Sequence, residues 1–192
     1  MPDKIVVFGA GATGRGHVGL LAWQAGFETV FVDKKPELVD ALRRAGRYTV
    51  KLYGRGVQEI EVGGYRTYFY EERRAIAEEI RDAALVLTAV FDQNLADVAR
   101  TIALACSECR TTGRTRPLNC IACENMMDSS STLGRHVRGF LAGQDPLTPG
   151  PSPACGRGED LAWCETHVGF PDCMISRVVP RPEPDPLAVH SL

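Results

Sequence analysis

The chain has 192 residues, of which 44% are hydrophobic and 24% are charged, and its formal net charge at pH 7 is −2. A chain of this length can form one globular domain that buries roughly 70% of its unfolded surface. The near-neutral charge argues against a nucleic acid or an anionic membrane as a partner, and no apolar run approaches the roughly 18–20 residues that span a bilayer. Because the seven cysteines are an odd number and the first residues lead directly into a predicted strand, we expect reduced thiols and a cytoplasmic protein.

The first 46 residues predict two strand–helix pairs. The continuous apolar run at residues 4–8 is typical of a strand buried on both faces, and the apolar residues that follow the glycines favour a helix that Gly26 ends. The stretch ETVFVD at residues 28–33 predicts a second strand, and a second helix follows between Pro36 and Gly46. This β-α-β-α order predicts an α/β fold with a doubly wound, mostly parallel sheet.

Residues 48–70 interrupt this order with three short stretches that alternate or are rich in aromatic residues, and they predict a small antiparallel excursion. The elements predicted after residue 70 are a charged helix at 71–83, a strand at 84–90, a helix at 95–103, a strand at 118–123 and a last helix-to-strand passage from residue 161. Residues 143–160 are rich in proline and glycine, so we expect a flexible surface insertion there. We treat residues 1–192 as one domain.

The glycines between the first strand and the first helix predict a turn that binds a dinucleotide. Gly9, Gly11 and Gly14 have the G-x-G-x-x-G spacing, and here the motif follows a predicted strand and opens a helix. Gly9 would permit the tight turn, Gly11 would let the backbone approach a diphosphate, and Gly14 would let helix and strand pack closely. The helix N-terminus would offer N–H groups to the anion. The alternative is a tight strand–helix turn that holds no ligand.

An acidic residue follows at the place where such folds recognise the ribose. Asp33 ends the second predicted strand, and its carboxylate would accept a hydrogen bond from the ribose 2′-hydroxyl. A 2′-phosphate about 4 Å away would instead be repelled by about 4 kcal/mol at an effective dielectric constant near 20. Lys34 and Lys35 would reduce that repulsion only if they folded inward. The sequence therefore favours NAD over NADP.

Two CxxC pairs, Cys106–Cys109 and Cys120–Cys123, raise the alternative of a four-thiolate zinc site. The second pair lies in a predicted strand, where residues three apart point to opposite faces and lie about 10 Å apart. Four sulfur ligands at about 2.3 Å from one zinc ion must lie within roughly 4 Å of each other. We therefore expect buried cysteines and no metal site.

Several stretches resemble, in the same order, the mannitol dehydrogenase family of long-chain polyol dehydrogenases: FGAGATGRG, FVD, LTAV, PLNCIACENM, HVGF, SRVVP and DPLAV. The resemblance covers nearly the whole chain except residues 143–160. It implies the N-terminal, Rossmann-like, NAD-binding domain of such an enzyme. It also implies a sugar-alcohol phosphate as substrate, with mannitol 1-phosphate oxidised to fructose 6-phosphate while NAD is reduced.

The resemblance further implies roles for individual residues. Asn125 would help to polarise the substrate oxygen, because an amide N–H aimed at a developing alkoxide stabilises it. The alternative for Asn125 is a turn residue that caps the next element. Arg15 would lie beside the diphosphate, and Asp33 would hold the adenosine ribose. The cofactor-binding residues implied in this way are Phe8, Gly9, Ala10, Gly11, Ala12, Thr13, Gly14, Arg15, Gly16, Asp33, Thr88, Ala89 and Val90.

The chain also departs from the family pattern. Phe91 stands where the family commonly has glycine and would crowd the cofactor, and Ser176 stands where the family usually has aspartate. The family continues beyond the position of Leu192 into a helical substrate domain that carries a catalytic lysine, and none of the four lysines here lies in that pattern. We therefore expect a truncated dehydrogenase that binds NAD but turns over little substrate alone. The alternative is a non-catalytic NAD-binding module whose exposed apolar face favours self-association or a separate helical partner.

Overall fold

The computed structural model of the chain describes residues 3–54, 56–144, 157–173, 175 and 185–191. The strands are β1 Lys4–Phe8, β2 Glu28–Asp33, β3 Arg47–Tyr53, β4 Val57–Gly63, β5 Arg66–Phe69, β6 Ala83–Thr88, β7 Leu118–Ala122, β8 Val168–Gly169 and β9 Ala188–Ser191. The α-helices are α1 Leu20–Gln24, α2 Pro36–Ala45, α3 Arg73–Arg81, α4 Leu95–Thr111, α5 Ser129–Leu141 and α6 Arg157–His167. A π-helical turn, Gly14–Gly19, leads into α1, and a 3₁₀ turn, Asp92–Asn94, leads into α4. No helix in these ranges is long and apolar enough to cross a membrane.

The main sheet has six strands in the order β5-β2-β1-β6-β7-β8, and each neighbouring pair is parallel. A smaller mixed sheet has the order β4-β3-β9, in which β3 pairs antiparallel with β4 and parallel with β9. The prediction of an α/β fold with a mostly parallel, doubly wound sheet is confirmed.

The predicted antiparallel excursion at residues 48–70 is correct only for β3 and β4. The third stretch forms β5, which joins the edge of the main sheet parallel to β2, with Val30 opposite Arg66 and Asp33 opposite Phe69. Its pairing partner lies more than 30 residues earlier in the chain, so local alternation in the sequence could not identify it.

Helices cover the main sheet in two layers, and the side chains of β1 alternate between them. Val6 and Phe8 lie in a buried cluster with residues of α3, α4, α5 and α6. Ile5 and Val7 lie in a second cluster with α1, α2 and the smaller sheet. A parallel strand covered on both faces is expected to be apolar throughout, as the predicted strand at residues 4–8 is.

Two features after β7 differ from the prediction. Helix α5 was not predicted, and α6 begins at Arg157, so the last four residues of the segment 143–160 are helical. The centre of that segment, residues 145–156, lies outside the described residues. The predicted flexible insertion at 143–160 therefore includes the first turn of a helix.

Two serines at the start of α5 fasten that helix to the end of β7. The backbone N–H of Ala122 donates to Ser130 Oγ at 2.9 Å, and Ser129 Oγ donates to the Ala122 carbonyl at 3.1 Å. All three residues are fully buried. A buried backbone group without a partner is costly, so these hydroxyls replace the ladder bonds that β7 lacks at this point.

Ser130→Ala should therefore lower the free energy of unfolding by about 1–3 kcal/mol, because it leaves the buried N–H of Ala122 without an acceptor. Urea denaturation followed by circular dichroism measures the change. Thr132→Ala, at a half-buried position of the same helix, is the matched control and should change stability by less than about 1 kcal/mol, because its hydroxyl accepts from the exposed side chain of Arg135 and not from a buried backbone N–H. Equal stability of Ser130→Ala and the wild type would contradict the assigned tie.

Candidate functional site

The candidate site is a cleft at the carboxyl ends of β1, β2, β6 and β7. In the main sheet β2 lies on one side of β1, and β6, β7 and β8, which come later in the chain, lie on the other side. Such a reversal opens a crevice outside the strand ends, which is where ligands bind in open α/β sheets.

Two cavities that share five lining residues occupy this crevice. The larger has a volume of about 650 Å³ and the smaller about 280 Å³. The shared lining residues are Gly11, Lys35, Ala89, Val90 and Phe91. The larger cavity is also lined by Ala12, Thr13, Asp92, Cys123, Glu124, Asn125, Met126 and Ile175, and the smaller by Phe8, Gly9, Val32, Asp33, Lys34, Tyr70, Asn94 and Val98.

The glycine turn after β1 has no room for side chains at two positions. Gly9 has a φ of +92°, and a Cβ atom there would lie 2.2 Å from the Ala89 carbonyl oxygen. A Cβ atom at Gly14 would lie 1.7 Å from the Gly9 carbonyl oxygen, because the helix start rests directly on the turn. At Gly11 a Cβ atom would meet nothing within 4 Å. The backbone at Gly11 is therefore bare toward both cavities.

The helix start presents its first residues to the larger cavity. Gly11, Ala12 and Thr13 line that cavity, and no side chain caps the helix at Thr13. N–H groups in the first turn of a helix have no partner within the helix, and they favour an anion.

Asp33 is fixed at the end of β2 by two backbone N–H groups. Its Oδ2 accepts from Ala10 N at 2.8 Å, and its Oδ1 accepts from Lys35 N at 2.9 Å. A carboxylate can accept about four hydrogen bonds, so acceptor capacity remains on the side that lines the smaller cavity. The first of these bonds also joins the carboxylate directly to the glycine turn.

The two lysines after Asp33 are placed differently. Lys34 Nζ lies 2.5 Å from Asp97 Oδ2 and 3.0 Å from Asn94 Oδ1, and it sits 5.1 Å from the centre of the Tyr70 ring. Its charge is thus paired with Asp97. Lys35 is exposed and lines both cavities.

Arg15, which was predicted to lie beside the diphosphate, is not among the residues that line the two cavities. Its guanidinium is buried, donates at 2.6 Å to the carbonyl oxygens of Ala10 and Pro186, and lies 5.5 Å from the centre of the Tyr48 ring. Burial lowers the pKa of Arg15 from its usual value. Arg15 is buried because it lies on the face of the π-helical turn that packs against β3 and β9.

Three more of the predicted cofactor residues are buried behind the turn. Ala10 is covered and gives its N–H to Asp33, and Gly14 rests on Gly9. At Gly16 a Cβ atom would lie 2.9 Å from the His190 carbonyl oxygen, which belongs to β9. These residues shape the turn, whereas Phe8, Gly9, Gly11, Ala12, Thr13 and Asp33 line a cavity.

The far wall of the cleft is formed by the ends of β6 and β7. Ala89 and Val90 line both cavities as predicted, whereas Thr88 is fully buried behind them. Asn125 is exposed and lines the larger cavity, and its side chain makes no hydrogen bond to any other described residue. Phe91 is 76% exposed at the edge of both cavities, so it does not fill them.

Sequence reasoning missed Glu124, which lines the larger cavity between Cys123 and Asn125. Its Oε1 accepts from Val90 N at 2.7 Å and from Thr88 Oγ1 at 3.2 Å. Burial raises the pKa of Glu124 to about 7, while the two hydrogen bonds act in the opposite direction. The available signal was an acidic residue directly after an apolar strand, at the edge of the sheet where sites form.

The cysteines of the CxxC pairs are buried and separated. Cys106 and Cys109 lie on α4, whereas Cys120 and Cys123 lie in the buried clusters on opposite faces of the main sheet. Among the described residues no group of three histidine, cysteine or acidic side chains could hold a metal ion. Burial raises the pKa of the Cys109 thiol to about 11 and that of Cys123 to about 12.

Comparison with known proteins is consistent with this architecture. Residues 3–191 match the mannitol dehydrogenase Rossmann domain. The chain is 38% identical over 175 residues to a mannitol-1-phosphate 5-dehydrogenase of Brevibacillus brevis, and the match covers 91% of this chain and 41% of that protein. The chain thus spans less than half the length of this relative.

Solved structures show the same fold. The Pseudomonas fluorescens mannitol 2-dehydrogenase, in a ternary complex with NAD and D-mannitol, matches 100% of this chain and 48% of its own with a TM-score of 0.78 and 14% identity. An octopine dehydrogenase complex with NADH and L-arginine matches 99% of this chain and 39% of its own, with a TM-score of 0.62 and 13% identity.

The glycine contacts predict a contrast between two alanine variants. Gly14→Ala should destabilise the protein by at least about 2 kcal/mol, because the added methyl group would overlap the backbone carbonyl of Gly9. Gly11→Ala should change stability by less than about 0.5 kcal/mol, because its methyl group enters open space. Urea denaturation of both variants measures this contrast, and similar losses of stability in the two would contradict the described packing of the turn.

Proposed function

The chain belongs to the mannitol dehydrogenase family, and from this premise we propose that it binds NAD in the cleft at the carboxyl ends of β1, β2, β6 and β7. The observation that carries the proposal is the bare backbone at Gly11 beside an uncapped helix start, with the carboxylate of Asp33 held at the adjoining strand end. Together they offer a place for a diphosphate and an acceptor for a ribose hydroxyl.

The described residues would suit the diphosphate and the adenosine half of a dinucleotide. Gly11, Ala12 and Thr13 would hold the diphosphate through backbone N–H groups, and Asp33 would accept from the adenosine ribose. The smaller cavity beyond Asp33 is walled by the apolar side chain of Val98 and the ring of Tyr70, which suit a planar base. Bound NAD would supply the hydride acceptor for an alcohol substrate.

The proposal favours the cofactor without a 2′-phosphate. A phosphate at the ribose would lie near the Asp33 carboxylate, and the nearest lysine in sequence, Lys34, is already paired with Asp97. The repulsion between two like charges about 4 Å apart amounts to about 4 kcal/mol at an effective dielectric constant near 20. Lys35, which is exposed, offsets part of that repulsion.

We further propose that the substrate class is a sugar-alcohol phosphate, with mannitol 1-phosphate oxidised to fructose 6-phosphate. Support comes from the Brevibacillus relative and from Asn125, whose amide lines the larger cavity. An amide N–H at that position would stabilise negative charge that develops on the substrate oxygen. The phosphate of the substrate would need cationic groups, and Lys35 is the one lysine among the described residues that line the larger cavity.

Oxidation of an alcohol by NAD also needs a general base placed against the hydroxyl. Three of the four lysines pair with acidic residues, Lys4 with Glu79, Lys34 with Asp97 and Lys51 with Glu59. Glu124 lies in the cleft, but one of its oxygens already accepts two hydrogen bonds. A positioned base contributes about 10²–10⁴-fold to such reactions. We therefore propose that this chain alone oxidises polyol phosphate slowly.

A second proposal is that the chain acts as a non-catalytic NAD-binding module with a separate helical partner. The observation that favours it is the exposure of two large apolar side chains near the cleft, Phe91 at 76% and Met127 at 77%. Large apolar side chains exposed to solvent favour association with another protein where they form a contiguous patch. Co-purification with a helical protein that supplies a lysine base would distinguish this module from a chain that works alone.

Calorimetry with NADH and NADPH tests the cofactor assignment. The wild type should bind NADH at least about tenfold more tightly than NADPH. Asp33→Asn should reduce this difference in affinity, because it removes the charge that repels the 2′-phosphate of NADPH. Asp40→Asn, at an exposed position of α2, is the matched control and should keep the difference. Gly11→Ala should bind both nucleotides weakly while remaining folded. Equal affinity of the wild type for NADH and NADPH would contradict the role of Asp33.

A spectrophotometric assay of NADH formation from mannitol 1-phosphate and NAD tests the proposal that this chain alone oxidises polyol phosphate slowly. The chain alone should turn over at a rate about 10²–10⁴-fold below that of the full-length Brevibacillus relative measured in parallel. The expected deficit reflects the lack of a positioned lysine base among the residues that the structure describes. A rate within tenfold of that relative would contradict the proposal, because it would show that this chain carries a sufficient base.

A further inference from the structure

Glu124 joins the ends of two neighbouring strands on the far wall of the cleft. The last backbone bond between β6 and β7 runs from Cys123 N to the Thr88 carbonyl oxygen at 2.8 Å. One residue further on, Glu124 Oε1 accepts from Val90 N at 2.7 Å and from Thr88 Oγ1 at 3.2 Å. The side chain thus continues the sheet bonding past the point where the two backbones separate.

The residues held in this way line the ligand space. Ala89 and Val90 line both cavities, and Asn125, which follows Glu124 directly, lines the larger one. Ala89 is also tied to the glycine-turn strand, since its N–H donates to the Phe8 carbonyl oxygen at 2.7 Å. A change in the hydrogen bonding of Glu124 would therefore shift Ala89 and Val90, which line both cavities.

We propose that Glu124 is a positioning residue for the cofactor, whose carboxylate holds the turn Thr88–Val90 against the end of β7 so that the far wall of the cleft keeps one shape. This role rests on the proposed binding of NAD. This role differs from a direct contact with the cofactor, because Oε1 of Glu124 already accepts hydrogen bonds from Val90 N and Thr88 Oγ1.

The strength of the two hydrogen bonds that Glu124 accepts depends on whether its carboxyl group is protonated. A carboxylate accepts hydrogen bonds roughly twice as strongly as a neutral carboxyl group does. Burial raises the pKa of Glu124 to about 7, and the nearby charge of Asp92 also raises it. The other charged and titratable groups at this wall are Lys35, Cys123 and Cys173, the last packed on the Ala122 carbonyl. As pH rises through about 7, the carboxylate forms and the turn is held more firmly.

The direct test is a pH titration of the Val90 amide proton by NMR in the free protein, from pH 5 to 9. The wild type should show a step in chemical shift with a midpoint near 7, as the acceptor of this N–H becomes charged. Glu124→Gln, which keeps the shape and one acceptor but not the charge, should lack the step. Asp92→Asn should keep the step and move it to lower pH, because the charge of Asp92 opposes ionisation of Glu124.

NADH affinity measured at pH 6 and pH 8 links this step to the ligand. The wild type should bind roughly three- to tenfold more tightly at pH 8, and Glu124→Gln should show the weaker affinity at both pH values. Glu165→Gln, at an exposed position on α6, is the matched control and should retain the pH dependence. If Glu124→Gln does not fold, Asp92→Asn decides the matter, since the Val90 step and the rise in NADH affinity should both move to lower pH in that variant.

The possible failures can be told apart. A wild type that binds NADH at both pH values while Glu124→Gln keeps the same pH dependence overturns the positioning role and leaves the proposed function standing. A Val90 amide without a step between pH 5 and 9 overturns it as well. A wild type that binds no NADH at either pH overturns both proposals.

Discussion

The structure depends on a close approach between three backbone segments at the carboxyl end of β1. The Gly9 carbonyl lies where a side chain of Gly14 would be, and the Ala89 carbonyl lies where a side chain of Gly9 would be. This contact fixes the helix start against β1 and the end of β6 at once. The cleft exists because these segments pack without side chains and leave the backbone at Gly11 open toward the ligand space.

Charged side chains support this packing, each from its own direction. The Asp33 carboxylate joins β2 to the turn through Ala10 N, and Glu124 joins β6 to β7. The buried guanidinium of Arg15 joins the turn to Pro186, beside β9. Because β9 also pairs with β3, residues close to the end of the chain hold the glycine turn from behind. The proposed NAD site is thus framed by elements from almost the whole length of the chain.

The sequence predicted those parts that depend on short-range patterns. Sequence patterns predicted the strand–turn–helix around Gly9, Gly11 and Gly14 and the acidic residue Asp33. These features are defined by the spacing of residues along the chain, which the sequence shows directly. The pairing of β5 and the buried position of Arg15 could not be found in that way. Both result from contacts with distant residues, and an arginine after a phosphate-binding motif has the same local pattern whether it faces the ligand or the core. Glu124 was missed for a related reason, since its burial and its two donors are set by the packing of β6 against β7.

The central claim is that the bare backbone at Gly11 and the joined ends of β6 and β7 form the two walls of an NAD site. Amide chemical-shift mapping of the isotope-labelled protein during a titration with NADH tests this most directly. The largest shifts are expected at residues 11–13, at Ala89 and Val90, and at Glu124. A saturable titration that leaves these amides unchanged, or that perturbs only distant positions such as those around Leu42 and Tyr65, would contradict the claim.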